Sequence, residues 1–169
     1  IKAYLAGLQN DDPLIRAAAI DALAPFDPQE RTRLIAHLLA DKVLAVRIAA
    51  ARALAGVPAE RLTQAQRVDC DRAGAELVAA EMAAAERPEA QLSLGAYYAE
   101  RGQNTQAEAA YRTALRLDPG FTPALVNLAD LYRAMGRESD GEPLLRQAIA
   151  LQPGSRSTHR APSSCDGVK

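Results

Sequence analysis

Hydrophobic positions fall at helical spacing along most of this chain, and no alternating Val/Ile/Thr run marks a strand. The stretch VNLADLYRAMGR, Val126 to Arg137, sets Leu128, Ala129 and Tyr132 on one helical pattern and ends on Gly136. LSLGAYYAERGQ carries almost the same order earlier. At a period of 34, Leu94 matches Leu128, Gly95 matches Ala129, Tyr98 matches Tyr132 and Gly102 matches Gly136. The same shift pairs Ala107 with Gly141, Tyr111 with Leu145, Ala114 with Ala148, Leu117 with Leu151 and Pro119 with Pro153. This predicts two helix–turn–helix units. Small residues at 95 and 129 let paired helices approach, Tyr98 and Tyr132 fill the space between successive helices, and Gly102 and Gly136 supply the turns.

The first half has a different rhythm. LQNDDPLIRAAAIDAL and LADKVLAVRIAAARAL align at a shift of 31, with Leu8 on Leu39, Asn10 on Asp41, Ile15 on Val46, Arg16 on Arg47 and Leu23 on Leu54. Between the halves, Thr63 and Gln66 have capping-box spacing, and Val68, Ala75, Leu77, Val78 and Met82 recur at roughly helical intervals. One long helix over 64–86 is expected there, joining the two arrays and covering the open face of the first 34-residue unit. After Pro153 no apolar period survives, so 154–169 is expected to be disordered.

A helix pair repeating every 34 residues with these nine matched positions resembles the tetratricopeptide repeat. The 31-residue rhythm resembles short HEAT-like repeats, in which an acidic turn residue and a following arginine form a ladder between neighbours. Asp41 with Arg47, and Asn10 or Asp12 with Arg16, fit that pattern; the same groups also serve as plain turn and helix-end partners. The fold expected is all-α, a right-handed solenoid of helix pairs. It divides into HEAT-like repeats over 1–58, a linking helix over 59–87, two tetratricopeptide repeats over 88–153 and the tail. The order of these parts, with the repeats opening on RPEAQLSLGAYYAERGQ, also resembles the C-terminal region of bacterial multihaem cytochrome-c-type proteins. That resemblance implies a periplasmic setting, with a cytoplasmic one as the alternative. The chain has no CxxCH motif, so covalent haem of that kind would belong to residues outside it.

Composition sharpens this picture. The 169 residues include 37 alanines, no Trp and only 4% aromatics, which suits close helix contacts. The net charge of −1 gives no basic stripe for nucleic acid, and RTR at Arg31–Arg33 reads as a solvated helix face. No run of 18 apolar residues spans a membrane. The chain begins at Ile1 without Met or a signal sequence and reads as a fragment.

Candidate chemistry is sparse. His37 lies in an apolar helical pattern and reads as structural, and His159 lies in the tail. Cys70 and Cys165 form no CxxC, and the acidic neighbours of Cys70 are expected to raise its thiol pKa. No metal set, phosphate loop or nucleophile motif is present, so neither catalysis nor a cofactor is expected from this chain. The function expected is a non-catalytic scaffold or docking module for a protein or peptide. The alternative is an accessory region of a periplasmic multihaem electron-transfer protein. The repeat resemblance implies that binding residues line the concave face of the first helix of each pair. These are Leu92, Ser93, Ala96, Ala99 and Glu100, then Val126, Asn127, Asp130, Arg133 and Ala134. Asn127, Asp130 and Arg133 share one stripe and read either as a solvated face or as hydrogen-bonding partners of an extended peptide. The family's chaperone-tail clamp needs Lys and Asn where Leu92 and Ala96 stand, so that ligand is excluded. Self-association is a further expectation, through a C-terminal end that leaves Leu144, Leu145 and Leu151 near an uncapped edge.

Overall fold

The computed structural model describes residues 2–151. The tail over 154–169, with Cys165 and His159, lies outside the described residues. Nine α-helices occur among them, in order: α1 (Lys2–Leu8), α2 (Pro13–Asp21), α3 (Pro28–Ile35), α4 (Leu44–Ala53), α5 (Gln64–Met82), α6 (Pro88–Glu100), α7 (Asn104–Leu117), α8 (Thr122–Ala134) and α9 (Glu138–Leu151). Short 3-10 turns occupy Ala36–Ala40 and Ala59–Arg61. The described residues contain no strand. α6 packs on α7 and α8 on α9, while in the N-terminal half α2 packs chiefly on α4, α4 on both α2 and α5, and α3 mainly on the 3-10 turn that follows it; α6 also meets α8. The fold is therefore an all-α solenoid of helix pairs, held by nearest-neighbour interfaces.

Local chemistry explains the helix boundaries. Asp12 and Asp27 accept hydrogen bonds from the backbone amides of Leu14 and Gln29, each at 2.8 Å, capping helices that open on Pro13 and Pro28. Thr63 and Gln66 form the reciprocal capping box expected of them. α5 ends at Met82 rather than 86, and turns over 83–86 lead to Pro88. At the other ends, Gly102 and Gly136 adopt φ of +68° and +71°. The amides of Gly102 and Gln103 donate to the carbonyls of Ala99 and Tyr98, and those of Gly136 and Arg137 to Arg133 and Tyr132. These are paired Schellman closures, which require a left-handed residue at the position glycine occupies.

Packing is organised in three clusters. The N-terminal core is built on fully buried Ile20, Leu23, Ile35, Leu39 and Val46. The C-terminal core is built on Ala107, Tyr111, Leu128, Leu131 and Tyr132. Ala55, Leu77 and Tyr97 join the two across α5. α5 uses only part of the stripe expected for it: Leu77 is fully buried and Val78 half-buried, but Val68 and Met82 are exposed, at 56% and 54%, and Ala75 is exposed too. The buried face is Cys70, Ala73, Gly74 and Leu77, an i, i+3, i+4, i+7 set made mostly of small residues. Gly74 and Gly95 have no room for a Cβ, because the Tyr97 hydroxyl and the Tyr111 ring occupy those places. The small residues let α5 meet α6, and α6 meet α7, at close range.

An arginine ladder runs along the N-terminal side. Arg16 makes a two-point contact with Asp41, at 2.9 and 3.0 Å, and donates to the Asn10 carbonyl at 2.7 Å. Arg47 repeats the arrangement one unit on: its head pairs with Glu76 at 2.6 and 2.9 Å, and it donates to the Asp41 carbonyl at 2.8 Å. The Asp41 carboxylate thus pairs with Arg16 of the preceding unit rather than with its own Arg47, whose carboxylate partner comes from α5. Arg16 and Asp41 keep only 11% and 9% side-chain exposure, so this bridge is largely withdrawn from water.

Candidate functional site

α6 and α8 lie next to each other, and their facing side chains border a groove of about 440 Å³. Of the residues the sequence singles out, Ala96, Ala99 and Glu100 reach it from α6, and Asn127, Asp130 and Ala134 from α8. Asn104 and Tyr111 from α7, Leu131 from α8 and Gly56 from the loop after α4 complete the lining. Tyr111 and Leu131 are buried, and Gly56, Glu100 and Asp130 are exposed.

The other expected residues lie elsewhere. Leu92 packs against the C-terminal core and does not line the groove. Ser93 is turned toward α5, donating to Glu81 at 2.6 Å and accepting from Arg52 at 3.3 Å. Arg133 pairs with Asp130 at 2.8 Å and borders the adjoining groove of about 330 Å³, with Glu138, Glu142 and Leu145. Asn127, Asp130 and Arg133 therefore share a stripe but not a groove, with Asp130 touching both.

The groove's electrostatics are one-sided. Glu100 and Asp130 are its only charged lining residues. Burial raises the Tyr111 hydroxyl pKa, Glu100 and Asp130 push it further, and Asn127 beside it partly offsets them. A buried, protonated phenol thus sits at the floor of an acidic groove. Arg101, next to Glu100, turns to Asp71 at 3.0 Å and stacks over Tyr97 with its guanidinium carbon 5.7 Å from the ring centre. Sequence reasoning misses Gly56, Asn104 and Tyr111, which come from other elements, and Leu131, which lies on α8 between the expected positions. Tyr111 is legible only as a repeat position matched to Leu145.

The remaining candidate groups have structural settings. Cys70 is buried, and burial is the main cause of its raised pKa, with Asp71 and Asp69 adding to it and Arg101 opposing. The direction agrees with the reading from its acidic neighbours, but the larger cause is different. His37 lies on a 3-10 turn rather than in an α-helix, because the chain leaves α-geometry at Ala36. Among the described residues, no group of three or more His, Cys, Asp or Glu is placed to hold a metal. No helix among them is long and apolar enough to cross a membrane.

Stacked helix hairpins closed by paired glycine turns, with a groove between the first helices of adjacent hairpins, define an α-helical repeat protein. Within that class, residues 98–160 match the tetratricopeptide repeat family model. The match starts inside the first 34-residue unit, covers the second and runs past the described residues. No curated protein and no solved structure matches the chain. Tetratricopeptide repeats generally mediate protein–protein interaction, so a protein partner is implied.

Proposed function

We propose that the chain is a docking module that holds an extended segment of a partner protein in the groove between α6 and α8. The observation that carries this reading is the convergence of Ala96, Glu100, Asn127 and Asp130, from two neighbouring helices, on one groove floored by Tyr111 and Leu131. Small residues on α6 leave the room, and Asn127 offers both an amide donor and a carbonyl acceptor to a passing backbone. The N-terminal array then acts as a rigid support, read as HEAT-like over 1–58 and joined through 59–87 to the repeats over 88–153. The arginine ladder supports that reading, since each rung ties one helix pair to the next.

Selection of random heptapeptides on the immobilised full chain tests the proposal. Enriched peptides should lose binding to Gly56→Leu and Asn127→Ala, with both variants keeping the parent helical spectrum. Peptides that bind both variants as tightly as the parent place the docking surface elsewhere and overturn the proposal.

A further inference from the structure

We infer that the groove selects a partner segment carrying a lysine or arginine, whose cationic head is taken by Glu100 and Asp130. The inference rests on the docking reading and adds the partner's chemistry. Both charges lining the groove are negative. Glu100 has no cationic partner among the described residues, because Arg101 beside it is held by Asp71. Asp130 is held only from outside the groove, by the exposed Arg133.

The shape fits the same ligand. The Ala96 and Ala99 side chains form a narrow apolar wall suited to the aliphatic stem of a long basic side chain. Gly56, which has no side chain, lets the Glu100 carboxylate lie against the loop after α4. A Cβ there would stand 2.5 Å from the Glu100 Oε2, so any larger residue displaces the carboxylate from its place in the groove. The Tyr111 hydroxyl and the Asn127 amide add neutral polar groups that order a peptide without competing for the cation. The loop of the N-terminal array thus takes part in a site built mainly by the repeats.

The test sequences the enriched heptapeptides and measures one of them, labelled with fluorescein, by anisotropy. The inference expects Lys or Arg at one shared position. It expects about tenfold weaker binding to Glu100→Gln, a further loss with Glu100→Lys, and weakening as salt is raised. Replacing the basic residue of the peptide by norleucine leaves the protein untouched and should cost a similar factor. Groove-bound peptides that lack a basic residue, or that bind Glu100→Gln and the norleucine analogue undiminished, overturn the cationic preference and leave the docking reading standing. Failure to enrich any peptide overturns both.

Discussion

At the residue scale, the tightest constraints fall on the smallest side chains. Gly95 faces the Tyr111 ring and Gly74 the Tyr97 hydroxyl, with no space for a methyl group at either. Gly95→Ala is expected to cost about 1–3 kcal/mol through overpacking, read as a lower urea midpoint. Gly102→Ala has open space around it, and its cost comes only from the positive φ, about 1 kcal/mol. An unchanged midpoint in both would mean that neither close approach nor turn geometry limits stability. The repeat period makes Gly95, Gly102 and Gly136 legible in the sequence, since each recurs with a matched partner. Gly74 has no such partner. The face of α5 is legible only at Leu77 for the same reason: large apolar residues such as Val68 and Met82 attract attention, while Gly74, Ala73 and Cys70 pack beside Leu77.

At the element scale, the ladder ties helix pairs that also share the N-terminal core. Removing Arg16 leaves a largely buried Asp41 carboxylate without its main partner. Arg16→Met is therefore expected to lose about 2–3 kcal/mol, measured by chemical denaturation. The same groups set the pH dependence. Burial works against ionisation of Asp41, but Arg16, the Val43 amide and Lys42 outweigh it and hold the carboxyl below its ordinary value. The Arg47 hydrogen bond, with its charge, does the same for Glu76 against a smaller burial effect. Both folded-state pKa values are lowered, so the stability they contribute is present above the ordinary carboxyl range and is lost as pH falls from there through the lowered folded values. Melting temperature should drop below about pH 4. The drop should be shallower in Asp41→Asn, and an equal slope in the two proteins would contradict the assignment. The arginines of the ladder are visible in the 31-residue period. Asp41 is visible there too as the acidic turn residue, but its pairing with Arg16 of the preceding unit is not, and Glu76 comes from a helix outside the repeat.

Over the whole molecule, contacts join helices adjacent or next but one in sequence, with α5 as the joint between the two cores. Opening should start at the ends. Amides of α9, where Ile149 is 58% exposed, should exchange with solvent faster than those of α4 or α6. Uniform protection along the chain would instead mean a single cooperative unit. The second hairpin has a lock that the first lacks. Glu108 accepts from the Tyr132 hydroxyl at 3.0 Å and pairs with Arg137 at 3.1 Å, while the Arg137 guanidinium lies 4.4 Å from the Tyr132 ring centre. One period earlier, the places of Glu108 and Arg137 are held by Gly74 and Gln103, and Tyr98 is only half-buried. Helix order and the glycine turns are written in the sequence period, whereas this lock is not. The groove is written there only in part. It draws on α4's loop and α7 as well as on α6 and α8, and no single-helix pattern reports such a meeting.

The central claim is that this meeting place binds a partner segment, and an amide chemical-shift map tests it most directly. Titrating an enriched basic heptapeptide into the isotopically labelled full chain should shift Gly56, Ala96, Glu100, Asn127 and Asp130 together, with one saturation curve. Leu92 and the N-terminal helices should stay still. Shifts confined to other surfaces, or scattered without saturation, would contradict the account.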